Sequence, residues 1–147
     1  MESLCIVPCG KKKIWNKIPN AGPTMAKNVY TGPFAKKCKE YAEKFYQDNW
    51  VILSAKYGFL APDDIISGPY NVSFNDKNSI AISTEELRKQ VKGKNLDKCD
   101  KIVVLGGKYY IEIIRSVFSE KEVLNPLDGC KGIGYMMAKL NESIKKN

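Results

Sequence analysis

Three consecutive lysines, Lys11, Lys12 and Lys13, come directly after the apolar run Leu4-Cys5-Ile6-Val7 and the turn Pro8-Cys9-Gly10. Lysines fanning out from the end of a strand make a cationic floor for phosphate groups. Read without a ligand, the same run is a solvated loop. Lys56 and Lys108 follow two other apolar runs in the same way. Cys9 is a candidate nucleophile, because neighbouring lysines favour its thiolate; its other reading is a small packing residue. Lys56 is a candidate Schiff-base lysine if it is buried and desolvated. Asp63, Asp64 and Asp128 are the carboxylates that could activate water, and Asp128 is the best placed because it follows the last apolar run.

The chain contains no histidine. That removes Ser-His-Asp and Cys-His nucleophile activation, HExxH proteases and histidine-based metal sites. Acid–base work would fall to Asp, Glu, Lys, Tyr, Cys or an activated water. The five cysteines, Cys5, Cys9, Cys38, Cys99 and Cys130, are an odd number with no CxxC pair, so neither a disulfide framework nor a zinc ribbon is expected. No cofactor or metal is expected.

These residues need elements to hold them. The apolar runs predict about four short strands, over residues 3–9, 50–55, 101–107 and 122–125. Helices are predicted between and after them, over 34–48, 83–93, 108–119 and 133–146. Strands apolar on both faces that alternate with helices give an α/β, three-layer sandwich: a parallel sheet in the order 2-1-3-4, with helices on both faces. Residues 15–32 and 56–78 are predicted as two long loops, and such loops tend to carry function. No linker or repeat divides the 147 residues, so one domain, 1–147, is expected.

In an open parallel sheet, ligands bind beyond the carboxyl ends of the strands. Four segments should therefore converge there: Cys9 to Lys13; Ser54, Lys56, Tyr57 and Gly58; Gly106, Gly107 and Tyr110; and Asn125 to Asp128, followed by Gly132 and Gly134. Gly10 and Gly58 would let the backbone approach a ligand or turn sharply. The turns Gly106-Gly107 and Gly132-Ile133-Gly134, each ahead of a helix, are either anion nests or tight connections. In Tyr30-Thr31-Gly32-Pro33, Thr31 reads as a helix N-cap and Pro33 as the first turn. Tyr30 and Tyr70 (the latter followed by Asn71) could stack on a base or simply pack.

The net charge of +8 favours a polyanion, nucleic acid or a nucleotide, as partner. No apolar run approaches the ~20 residues of a membrane span. The N-terminus lacks the pattern of a secretory signal, so a cytoplasmic location is expected.

The ordered set CGKKK, VYTGPF, LSAKYGF, GPYN, VLGGKYY and NPLDGCKGIGYMM resembles a bacterial, archaeal and phage family of unknown function, over nearly the whole chain. That family resembles in turn the DNA-binding peroxide-stress proteins, and its sheet is similar to that of uracil-DNA glycosylases. The resemblance implies a catalytic loop after the first strand, here Cys9 to Lys13, and a base-flipping loop after the last, here Asn125 to Asp128. Where such glycosylases place an acid or Asn in the first loop, this chain has lysines; where they place a histidine in the late loop, it has none. What remains implied is an N-glycosidase-like hydrolase acting on DNA or a nucleotide, with lysines stabilising departing charge. The alternatives are a DNA- or RNA-binding protein without chemistry and a small nucleotide sensor.

Overall fold

The computed structural model describes residues 2–74 and 79–146. The last four residues of the loop expected over 56–78 lie outside the described residues. Among the described residues the strands are β1 (Ser3–Pro8), β2 (Thr24–Met25), β3 (Trp50–Ser54), β4 (Gly58–Leu60), β5 (Ile65–Ile66), β6 (Lys101–Val104) and β7 (Glu122–Leu124). Among the described residues the α-helices are α1 (Ile14–Lys17), α2 (Ala26–Val29), α3 (Pro33–Tyr46), α4 (Thr84–Gly93), α5 (Lys108–Val117) and α6 (Ile133–Lys145), with a 3-10 turn over Leu96–Lys98.

The main sheet has five strands in the order β4-β3-β1-β6-β7. β3, β1, β6 and β7 are parallel neighbours, while β4 is antiparallel to β3. β2 and β5 form a separate antiparallel pair, Thr24 opposite Ile66 and Met25 opposite Ile65. The expectation of one wholly parallel four-stranded sheet in the order 2-1-3-4, and with it the uracil-DNA-glycosylase-like sandwich, is overturned: the sheet is mixed and five-stranded, with a second sheet beside it. The physical reason is length. Strands of two or three residues are too short for alternation to show in the sequence. β4 also follows β3 after only Ala55, Lys56 and Tyr57, a connection short enough only for an antiparallel return.

The strand residues divide by the pleat. Cys5 and Val7 face one side with Trp50, Ile52 and Val103, beneath Cys38 and Ala42 of α3 and Leu140 of α6. Leu4 and Ile6 face the other with Leu53, Ile102 and Val104, beneath Leu87 and Val91 of α4 and Ile111 and Ile114 of α5. Both faces of β1 are thereby dry, which is why its sequence shows no polar alternation.

The helix starts follow local chemistry. Ser83 Oγ accepts the Glu86 N–H at 3.1 Å, and Glu85 and Glu86 sit in the first turn of α4. In α3 the N-cap is Gly32, not Thr31, with Pro33 at the first helical position. Thr31 instead gives its N–H to the Lys12 carbonyl at 3.0 Å.

The two long loops are stitched together. Beyond the β2–β5 pair, the Ala26 N–H donates to the Asp64 carbonyl at 2.7 Å and the Lys27 N–H to the Pro62 carbonyl at 3.0 Å. Asp64 Oδ2 accepts the Ala61 N–H at 2.8 Å, and Lys27 pairs with Asp63 at 3.1 Å. Asp63 and Asp64 thus serve the loop framework. No helix among the described residues is long and apolar enough to cross a membrane.

Candidate functional site

The chain leaves β1 at Pro8, turns through Cys9 and Gly10, and runs into the lysines just before the single turn of α1. This segment is fixed from two sides. Lys13 forms a bridge with Tyr30, and the Lys13 N–H donates to Asn16 Oδ1 at 2.8 Å. Trp15 is buried, its indole N–H donating to the Gly22 carbonyl at 2.9 Å. A cavity of about 850 Å³ opens beside it. Lys11, Lys12, Lys13 and Lys17 line it, together with Thr31, Tyr70 and Asn71; no Asp or Glu is among the described lining residues.

Behind the cavity lies a network of hydroxyls. Ser54, wholly buried at the end of β3, accepts the N–H groups of Lys56 at 3.2 Å and Tyr57 at 3.1 Å. With its acceptor sites filled, its own hydroxyl donates to the Tyr70 oxygen, 3.0 Å away. Tyr70 shares a further hydrogen bond with the Tyr30 hydroxyl. Burial pushes the Tyr70 phenol up, against the Ser54 and Tyr30 hydrogen bonds, which pull it down. Burial, and then Tyr70, push Tyr30 far above the ordinary phenol range. Both phenols therefore keep their protons at neutral pH, and they hold position rather than transfer protons. Tyr30 is buried and leaves no free face for a base. The ring of Tyr70 is occupied too: the ammonium of Lys13 lies 4.5 Å from its centroid and that of Lys56 5.6 Å, and Tyr57 meets it edge-on at 5.3 Å.

Lys13 differs from its neighbours. Lys11, Lys12, Lys17 and Lys56 are exposed, whereas Lys13 is 6% exposed. Its ammonium donates to the Lys11 carbonyl at 3.2 Å, and burial pulls its pKa below the ordinary lysine range. Lys56, a Schiff-base candidate only if buried, is exposed.

Gly58 is not a ligand approach. It sits at φ 79° against α4, where Gln90 Oε1 accepts the Phe59 N–H at 2.8 Å and Gln90 Nε2 donates to the Tyr57 carbonyl at 3.0 Å. A Cβ there would lie 2.2 Å from Gln90 Oε1. Gly10 and Gly32 have Ala35 and the Lys12 side chain as their nearest neighbours, at ordinary contact distances.

The ends of β6 and β7 build a different hollow, of about 490 Å³. Gly106, Gly107, Asn125, Asp128 and Gly132 line it, together with Lys108, Glu112, Arg115 and Lys131. Asn125 is committed to a turn: its Oδ1 accepts the Leu127 N–H at 3.1 Å. Asp128 is exposed, and Gly134 lies in the first turn of α6 and lines neither cavity. Tyr110 links the two regions by donating to the Cys9 carbonyl at 3.1 Å, and the Cys9 thiol lies 3.3 Å from its hydroxyl. Burial, followed by Cys9, raises the Tyr110 pKa well above the ordinary range, so its phenol is no base for that thiol. Among the described residues no cluster of His, Cys, Asp or Glu could hold a metal ion.

The structure thus brings Lys11, Lys12, Lys13, Thr31, Tyr70 and Asn71 together, with Tyr30, Ser54, Lys56 and Tyr57 behind them. It puts Asp128 and the turns Gly106-Gly107 and Gly132-Ile133-Gly134 elsewhere. Sequence reading passed over Asn16 and Lys17. The four-residue spacing from Lys13 to Lys17, one helical turn, was the signal that pointed to them.

A family model described as a family of unknown function, DUF6884, matches residues 4–142. The uncharacterized protein YfjM of Bacillus subtilis (strain 168) is 45% identical over 147 residues, spanning 99% of this chain and 97% of its own. The chain belongs to that family. Neither description names a reaction or a ligand, so a reading of the site rests on its chemistry.

Proposed function

We propose that this member of the family binds the phosphate groups of a nucleotide, free or within a nucleic-acid strand, in the lysine-lined cavity beyond β1. One observation carries the reading: four lysines wall a cavity of about 850 Å³ with no carboxylate among its described lining residues. Surface lysines are usually interspersed with acids, and an uncompensated set around a concave space focuses potential on an anion. Net charge of +8 supports the same partner. Asp128, the acid expected to activate water, lines the other cavity, so the reading here is of binding and does not extend to base release. All five cysteines are unpaired, which suits the reducing cytoplasm in which we place the protein.

Thermal unfolding in the presence of a nucleoside triphosphate or a single-stranded oligonucleotide tests the proposal. Both should raise the Tm, and the rise should shrink as salt increases. The larger shift identifies whether the free nucleotide or the strand is the natural ligand. No shift from either at low salt would sink the reading.

A further inference from the structure

Within the lysine-lined cavity one lysine is built unlike the rest. Lys13 contributes to the wall yet is 6% exposed, while Lys11, Lys12 and Lys17 stand in solvent. An ammonium has three N–H donors. Among the described residues the Lys13 ammonium has one acceptor, the Lys11 carbonyl at 3.2 Å, and no carboxylate partner. Its other neighbours are the face of Tyr70, 4.5 Å away, which Lys56 also approaches, and the Cys9 thiol, whose effect on Lys13 opposes that of burial. A buried ammonium with one hydrogen-bond acceptor and no carboxylate partner is driven toward the neutral amine. The lowered pKa that burial gives Lys13 agrees with that geometry.

We propose that Lys13 is a reactive amine that condenses with an aldehyde on a phosphate-bearing ligand, the exposed lysines holding the phosphate and Lys13 taking the carbonyl carbon. The division of labour follows from the burial of each side chain. Lysines in water stay charged and hold anions but are poor nucleophiles, and the buried one is the reverse. The nitrogen lone pair attacks the carbonyl carbon, and a C–N bond forms as the C=O π bond opens. The resulting hydroxyl leaves as water, which carries away both amine protons, and a C=N bond remains. No oxidant or reductant enters this step. Two sources present such an aldehyde: the open form of a pentose 5-phosphate, and the open sugar of an abasic site in a single strand.

This inference rests on the phosphate-binding reading of the same cavity. The full chain is incubated with ribose 5-phosphate or with an oligonucleotide carrying one abasic site, and sodium cyanoborohydride is added to reduce any imine to a stable secondary amine. Mass spectrometry of the intact chain and of its peptides then locates the adduct. A reduced adduct on Lys13 at about tenfold or more over each exposed lysine is the expected result. The arm that yields more identifies the source of the aldehyde. Lys13→Arg keeps the charge but has no condensing amine, so it should lose the adduct while thermal unfolding reports an intact fold; Lys13→Met serves as the second variant. Peptide mapping of the unaltered chain decides the matter even if neither variant folds. No adduct from either probe, adducts spread evenly over the lysines, or an adduct undiminished in Lys13→Arg would overturn the inference. If nucleotides still raise the Tm in that case, the binding reading stands and only the imine falls. If they do not, both fall.

Discussion

The two hollows at the strand ends share a construction and differ in charge. Each sits beyond the carboxyl ends of parallel strands, one by β1 and β3, the other by β6 and β7. In the first, Lys11, Lys12, Lys13 and Lys17 meet no acid among the described lining residues. In the second, Lys108, Arg115 and Lys131 are answered by Glu112 and Asp128. A hollow that largely offsets its own charge, three cations against two acids, gains less from an anion. One that leaves its cations unmatched is held less favourably when empty and more favourably when filled. The first also has the stiffer backing, since Ser54, Tyr70 and Tyr30 tie three separate chain segments into one wall.

Charge reversal is the strongest way to break this comparison. Lys11→Glu with Lys12→Glu should weaken nucleotide binding by about a hundredfold at low salt, through lost attraction and added repulsion. Lys108→Glu with Lys131→Glu, in the hollow that has its own acids, should cost less than about threefold. Titration by fluorescence anisotropy measures both, and equal losses would erase the distinction.

Glycine substitutions sharpen the contrast next. Gly58→Ala must place a methyl at φ 79° against the Gln90 amide, and should cost about 2 kcal/mol or more, read as a lowered Tm. Gly134→Ala, in the first turn of α6 with nothing within 4 Å of the added Cβ, should instead be neutral or stabilise by up to about 1 kcal/mol.

The hydroxyl wall gives a smaller effect with a pH signature. Tyr70→Phe strands the Ser54 donor and should cost about 1 kcal/mol in urea unfolding at pH 7. Tyr70 has a raised pKa in the folded chain, so above pH ~10 the unfolded chain gives up a proton that the folded chain keeps. Unfolded protein then binds fewer protons, and stability falls as pH rises, by at most about 1.4 kcal/mol per pH unit for each such group. The same sign holds for Cys5, whose thiol burial raises to about 12, so its contribution is lost between its ordinary value of 9.0 and that value. Tyr70→Phe should flatten the alkaline slope measured from pH 10 upward.

Much of the frame was legible in the residues. The run Leu4 to Val7 is apolar at every position because both faces of β1 are covered, and helices with a cap such as Ser83 or a stop such as Gly93 announce themselves locally. What escaped notice was short. β2 and β5 have two residues each and β4 three, and none shows a period that could be told from a loop. The site divided in the same way. The lysines were visible as a run, but Asp128 had been grouped with them because both follow strands, and neighbouring strand ends fed separate hollows.

The sequence by itself determined a basic chain without histidine, built of buried strands alternating with amphipathic helices, and those properties come from composition and local spacing. Only the tertiary structure decided which amine is dry. Lys13 and Lys56 are the same residue type in similar turns, yet Lys13 is bridged to Tyr30 and lies over the ring of Tyr70, brought in from two distant segments, while Lys56 rides the outside of a hairpin. Burial is set by contacts between segments distant in the chain, and the cost of a buried charge follows burial rather than residue type.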